Sequence, residues 1–348
     1  MIDYMLLQRL CQANGISGDE AHVRKLISEE ISACADSVVT DPLGNLLVHK
    51  KGRNRPKVKL MLSAHMDEVG LMVTDITAEG YLKFDEVGGI DRRVLIGKHV
   101  VVNHTVNGVI GIKPIHLTKG DESSAIPAYS ELYIDIGAQS AQEARQVVSP
   151  GDSVCFVSAF TQTATAIRSK AIDDRFGCMV LIDLIKSDLE YDMDFAFVVQ
   201  EEVGLHGATT AAYTLDPDFA LVIETTTAAD IPEIDAAKQV CCLGEGAVIS
   251  MMDRRTIYDR EMAVLALKTA EAIGVKAQVK RAVAGGNDAG VIHQSRGGVR
   301  TLAISLPCRY LHAPNCVADK NDCESVRQLT HALASLIARG TLHHDYLS

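Results

Sequence analysis

The sequence contains no tryptophan, and aromatic residues make up only 5% of its 348 positions. A polysaccharide groove needs flat stacking surfaces, so this scarcity counts against one. Basic residues are also in the minority, with 34 Lys and Arg against 45 Asp and Glu for a formal charge of −11. Such a chain lacks the broad cationic face with which proteins grip nucleic-acid phosphates, so no nucleic-acid partner is expected. No apolar run approaches the ~18 residues of a membrane-spanning helix, so no membrane partner is expected either. The nine cysteines include no C-x-x-C pair, which argues against a zinc knuckle or a thioredoxin-type motif. They are scattered singly apart from Cys241-Cys242 and read as reduced residues of a cytoplasmic protein. The first nine residues read as an amphipathic helix without a basic n-region or a cleavage site, so no signal peptide is expected.

What is present describes an acidic globular protein, 47% hydrophobic and 23% charged, long enough for about two domains. Ser17 and Glu20 have capping-box spacing ahead of an apolar stripe at Val23, Leu26, Ile27 and Ile31. A turn-rich stretch, Asp41-Pro42-Leu43-Gly44-Asn45, separates two short apolar runs and predicts a hairpin. Between residues 71 and 165 the texture changes to short alternating strands punctuated by glycine, with one helix near 141–148, which predicts a small inserted β domain. Residues 1–70 and 166–348 then form the two parts of a larger domain. Helices are expected over 176–187, 260–273, 289–294 and 323–339, and apolar strands over 58–64, 195–200, 220–223, 247–251 and 301–306. Alternation of this kind implies an α/β fold with a mostly parallel central sheet covered on both faces.

Open α/β sheets bind ligands beyond the carboxyl ends of their strands, so the residues that follow each strand carry the argument. The run 58–64 leads to His65-Met66-Asp67-Glu68; Ala171-Ile172 leads to Asp173-Asp174-Arg175; 195–200 leads to Glu201-Glu202; 220–223 leads to Glu224; 301–306 leads to the segment holding His312. Strand after strand ends in histidine or a carboxylate. Carboxylates gathered within a few Å repel one another strongly or must take up protons, and divalent cations remove that conflict. Imidazole with carboxylate suits Zn²⁺, with Co²⁺ and Mn²⁺ as alternatives. Paired ions in hydrolases sit about 3.5–4 Å apart. The H-x-D spacing of His65 and Asp67 assigns Asp67 to orienting the imidazole.

These residues resemble those of the co-catalytic metalloaminopeptidases that include glutamyl, deblocking and tetrahedral (TET) aminopeptidases, some members of which carry the name endoglucanase or cellulase. The resemblance runs nearly end to end through S-A-H-M-D-E-V-G at 63–70, A-I-D-D-R-F-G at 171–177, Q-E-E-V-G-L-H-G-A at 200–208, V-I-E-T-T at 222–226, G-G-N-D-A at 285–289 and P-C-R-Y-L-H-A-P at 307–314. It implies a phosphorylase/hydrolase-like catalytic domain interrupted by a PDZ-like β domain used in oligomerisation. It further implies two divalent ions per subunit, with Asp173 bridging, His65 and Glu224 completing one site, and Glu202 and His312 the other. Many relatives have Asp where this chain has Glu224. Asp174 would follow a strained peptide bond, and Asp288 would either lie near the substrate or cap a helix.

The reaction the resemblance implies is release of the N-terminal residue from peptides by a metal-bridging hydroxide, with Glu201 as general base. It also implies a homo-oligomer, up to a dodecamer. The preferred N-terminal residue stays open, with Lys170, Arg175 and Arg309 as candidates for an acidic-residue pocket or for pairing with site carboxylates. Two other classes compete. A glycoside hydrolase would leave the histidines without a task, because its acid and nucleophile must flank the scissile bond. A non-catalytic peptide-binding scaffold would have no need of the full set of metal-ligating residues.

Overall fold

The computed structural model describes residues 1–118 and 126–342. It is an α/β fold built on a mixed eleven-stranded sheet. From one edge the strands run Ser37–Thr40, Leu46–Lys50, Met193–Val198, Leu60–His65, Phe219–Thr227, Arg300–Arg309, Cys316–Asp319, Ala166–Ser169 and Thr161–Gln162, with Ala247–Ile249 and Ala277–Val279 branching beside Arg300–Arg309. The expectation of a mostly parallel sheet is corrected. Only the central run from Met193–Val198 to Arg300–Arg309 and the pair Ala247–Ile249 with Ala277–Val279 are parallel. The flanking strands are joined by short turns, such as residues 41–45 and 310–315, and a short turn can only reverse direction.

The central strands carry the chemistry because their sequences need no solvent face. Leu60–His65 is buried at every position, and Phe219–Thr227 at all but the last. Such continuous burial is the signature of a parallel strand covered on both sides. Helix Ile172–Lys186 packs on both of these strands. Phe195, Phe197 and Phe219 are fully buried in this core, each contributing about 1.5–3 kcal/mol on burial. The outer helices are fixed at their ends by side chains: Asp3 accepts from Met5 and Leu6 N–H, Asp259 from Met262 N–H, and Asp319 from Asn321 and Asp322 N–H.

Strands Gly70–Ile76, Leu82–Val87, His99–Val102, Val106–Ile112, Leu132–Asp135 and Ser153–Phe156 close into a six-stranded barrel, antiparallel throughout. This barrel stands where a PDZ-like insert was expected. Strands such as Leu132–Asp135 alternate buried with more exposed residues, and the barrel has its own core around Leu71, Phe84, Val100 and Ile134. Past the barrel, the two-residue strand Thr161–Gln162 pairs with Ala166–Ser169 at the edge of the main sheet.

The hairpin turn at 41–45 also serves the centre of the molecule. Asn45 is fully buried; its Oδ1 accepts from Val199 N–H at 3.0 Å, and its Nδ2 donates to Gly207 O at 2.9 Å. It thereby fixes the chain just before and just after Glu201-Glu202. Asn45→Ala leaves the buried Val199 N–H unpaired, while Gly207 O keeps the Thr210 hydroxyl as donor, and is expected to cost about 1–3 kcal/mol, read as a lower urea midpoint with an unchanged slope.

Candidate metal centre and active site

Helix Ile172–Lys186 opens in an irregular turn. Asp173 and Asp174 have non-helical backbone angles, and the peptide bond between them is cis. This turn delivers Asp173 to the end of strand Leu60–His65. His65 Nε2 lies 3.3 Å from Asp173 Oδ1 and 3.9 Å from Glu224 Oε2. On the other side, His312 Nε2 lies 3.4 Å from Asp173 Oδ2 and 3.3 Å from Glu202 Oε2. One carboxylate therefore faces two imidazoles, each with a second acid beside it. Glu224 does not follow its strand; it sits inside Phe219–Thr227, three residues before the strand's end.

Both histidines are held from behind by carbonyl groups. His65 Nδ1 donates to Asp67 O at 3.0 Å, and His312 Nδ1 donates to Gly89 O at 2.9 Å. A carbonyl can only accept, so each ring carries a proton on Nδ1 and turns its Nε2 to the acids, to which that nitrogen donates while the imidazole is protonated. The Asp67 carboxylate is 3.5 Å from His65 Nδ1, and its shorter bonds go elsewhere. It accepts from Ser17 Oγ at 2.6 Å and from the N–H groups of Glu201 and Glu202 at 3.1 Å each. Asp67 thus reaches the ring mainly through its backbone and the acidic pair through its side chain. Ser17 is committed to this bond and makes no capping box; helix Ala21–Ile31 has no side-chain cap.

Two sets of donor atoms converge closely enough to hold a cation: His65, Asp173 and Glu202, and His65, Asp174 and Glu224, each within 4.8 Å. Asp174 Oδ2 and Glu224 Oε1 are buried with no hydrogen-bond partner. Carboxyl oxygens without partners beside imidazole nitrogens are the donor set that a divalent cation satisfies by displacing their protons, so the residues fit such an ion. Burial is the leading influence on every acid here. It holds Glu201, Glu224 and Asp174 well above the ordinary carboxylate range, opposed by His65. Glu202 is pushed up to about 7 by burial, with His312 opposing and Asp173 adding. Asp173 alone of the cluster's ligand-type acids is held low: burial raises it, but hydrogen bonds from His312 and His65 prevail.

All seven residues singled out in the sequence meet here: His65, Asp67, Asp173, Glu201, Glu202, Glu224 and His312. Most line or border one cavity of about 660 Å³. The three cations considered for its wall do not join them. Arg175 is buried and donates to the carbonyls of Met66, Leu10, Ala13 and Gly15. Lys170 pairs with buried Glu68, and Arg309 clasps Asp230. The cavity is instead lined by Arg254, Arg255 and Lys280, the last directly after the three-residue strand Ala277–Val279, too short to announce itself in the sequence. Asp288 makes no cap bond, because Asn287 Oδ1 accepts from Ala289 N–H in its place. Both Asp288 carboxyl oxygens are buried without partners, and burial raises the group to about 7.

These shifts set a pH dependence for the metal-free protein. Burial depresses His312, but Asp173 and Glu202 outweigh it and lift the imidazole from 6.5 to about 9, while Glu202 rises from 4.5 to about 7. Groups raised on folding stabilise fully below their unfolded values, and that contribution is lost as pH climbs through the folded ones. Asp67 and Asp173 are lowered, so their contributions are lost only as pH falls below about 4. Chelator-treated protein is therefore expected to melt at progressively lower temperature from pH about 5 to about 9, with metal restoring most at the alkaline end. Calorimetric scans with and without EDTA check this, and a chelated melting point that climbs over that interval contradicts it.

Comparison with known proteins agrees with the geometry. The model of the M42 glutamyl aminopeptidase family matches residues 44–329. A putative aminopeptidase of Acetivibrio thermocellus is 39% identical, with 93% of this chain and 96% of that protein covered. The glutamyl aminopeptidase of Lactococcus lactis subsp. cremoris is 30% identical over 91% of both. The solved TET1 peptidase of Pyrococcus horikoshii, which assembles into a tetrahedron or a large octahedral shell, superposes with a TM-score of 0.84 at 37% identity, covering 95% of this chain and 98% of that one. An acid-and-imidazole cluster at the ends of central strands, in a chain with these relatives, marks a peptidase, and the chain belongs to the M42 glutamyl aminopeptidase family.

Proposed function

We propose that this aminopeptidase works with two divalent cations, Zn²⁺ first and Co²⁺ or Mn²⁺ as alternatives, and with Glu201 as general base. His65, Asp173 and Glu224 would hold one ion, with Asp174 Oδ2 at hand beside them, and Asp173, Glu202 and His312 the other. The observation that carries the reading is the position of Asp173, with one oxygen toward each Nε2. When bound, such ions supply Lewis acidity, acidifying water and polarising the scissile carbonyl.

The chain's own residues do the remaining work. Glu201 lines the cavity beside His65 and Glu202, and its burial favours holding a proton. A base of that kind takes a proton from the attacking water and returns it to the departing amine. Asp67 fixes the backbone of both Glu201 and Glu202, so the base and its neighbouring acid keep a constant separation. The substrates would be peptides with a free N-terminus. Self-assembly, as in the Pyrococcus horikoshii peptidase, is part of the same proposal.

Glu201→Gln is expected to retain its metal content by elemental analysis while kcat falls by about 10²–10⁴-fold on aminoacyl-anilides. Near wild-type turnover by the metal-loaded variant would remove Glu201 from the role of base. EDTA is expected to abolish hydrolysis, with recovery on adding back Zn²⁺, Co²⁺ or Mn²⁺. Hydrolysis that persists in the chelator would overturn the metal-dependent reading.

A further inference from the structure

The Asp67 carboxylate fixes the backbone of Glu201, and something must in turn fix that carboxylate. Rotation about the last side-chain bond of an aspartate is soft, so the plane of the group is set by its partners. Asp67 Oδ1 accepts from Glu201 N–H and Oδ2 from Glu202 N–H, each at 3.1 Å. Those two amides belong to the segment being positioned, so they cannot serve as its reference. The separation of 3.5 Å between Asp67 Oδ1 and His65 Nδ1 is too long for a strong bond. The shortest hydrogen bond comes from Ser17, whose hydroxyl donates to Asp67 Oδ2 at 2.6 Å. Ser17 and Asp67 are both buried, where such a bond is strong and no solvent competes for it.

Ser17 is carried on an anchored segment. Ile16 pairs with Glu68 in a parallel bridge, and it fits there because Gly70 has no side chain: an added Cβ would meet Ile16 Cγ2 at 2.2 Å. Glu68 N–H donates to Gly15 O at 3.0 Å, and Gly15 N–H donates to Glu68 Oε1 at 3.2 Å. Glu20 is buried, and its Oε1 accepts from Gly18 N–H at 2.8 Å and from Gln200 N–H at 3.2 Å, directly before the acidic pair. Asp19 accepts from the Ser153 hydroxyl and lies 2.8 Å from His104 Nε2, both on the barrel. Residues 15–20 are thus tied to the turn after His65, to the residue before Glu201 and to the barrel. A hydroxyl held in this way is an independent reference for the carboxylate it binds.

We propose that Ser17 is a positioning residue for the reaction, acting through the Asp67 carboxylate on the backbone of Glu201. The proposal rests on the reading of Glu201 as general base and deepens it. The hydroxyl sets the plane of the carboxylate, and the carboxylate sets the amide from which the Glu201 side chain projects. A reacting group misplaced by about 1 Å can lose about a hundredfold in rate. A hydroxyl with only a structural task would lower the melting temperature and leave the turnover of the folded enzyme unchanged.

The test is a double-mutant cycle on leucyl-anilide at saturating Zn²⁺, with metal content read by elemental analysis: wild type, Ser17→Ala, Glu201→Gln and the double variant, together with Ser17→Thr. Ser17→Ala is expected to keep its metal and its KM while kcat falls about ten- to a hundredfold, and Ser17→Thr, which keeps the hydroxyl, restores most of the loss. In the Glu201→Gln background the same Ser17→Ala change costs no further kcat, because the base it positions is already gone. A kcat for Ser17→Ala within about twofold of wild type, loss of its metal, or an equal fall in both backgrounds overturns the proposal. Where Ser17→Ala does not fold, Ser17→Cys, whose thiol is a weaker donor, takes its place in both backgrounds. Failure of the base reading shows separately, as near wild-type kcat in Glu201→Gln alone; an equal fall on top of a slow Glu201→Gln enzyme removes Ser17 and leaves the base in place.

Discussion

The molecule is organised around an electrostatic conflict. Asp173, Asp174, Glu201, Glu202 and Glu224 are drawn to the ends of central strands, where burial disfavours their charge, neighbouring acids oppose it further, and only Asp173 is kept ionised by the two imidazoles. Such a gathering persists only if the backbone bearing it is held by interactions stronger than the repulsion. Two buried polar side chains do much of this holding. Asn45 closes the backbone on either side of the acidic pair, and Asp67 binds the pair's own N–H groups. The apolar strands behind them supply the rigidity, since a strand buried on both faces has no freedom to turn a side chain toward water.

Much of this was legible in the sequence because the relevant signals are local. The placement of His65 and Glu201 at strand ends can be read from an apolar run followed by a polar residue. Helix Arg260–Ile273 matches its predicted bounds since Asp259 and Gly274 mark both ends in the chain itself. Helix His206–Leu215 was not foreseen: its threonines and alanines give a weak apolar stripe, and its placement depends on packing against Met193–Val198. The hairpin at 41–45 was legible, but the antiparallel pairing of Leu46–Lys50 with Met193–Val198 and of Ala166–Ser169 with Cys316–Asp319 escaped, because those partners lie far away in sequence.

Residue type misled where a long-range partner claimed the side chain. Ser17 has the identity and spacing of a cap, yet Asp67 recruits it from 50 residues away. Asp288 stands in a cap position that Asn287 fills instead. Arg175, next to the acidic pair in sequence, turns away to bind four carbonyls, while Lys280, distant in sequence, faces the cavity. Spacing reports the backbone; it does not report which of several polar groups wins a given partner.

Gly89, whose carbonyl orients His312, belongs to the segment that follows barrel strand Leu82–Val87. Its neighbour Gly88 is confined, since an added Cβ there would meet Val69 at 2.8 Å and the Glu202 side chain at 3.2 Å. The barrel is thus a mechanical component of the centre as well as an appended module. A displacement of the segment after Leu82–Val87 reaches, through one hydrogen bond, an imidazole 223 residues away in the chain.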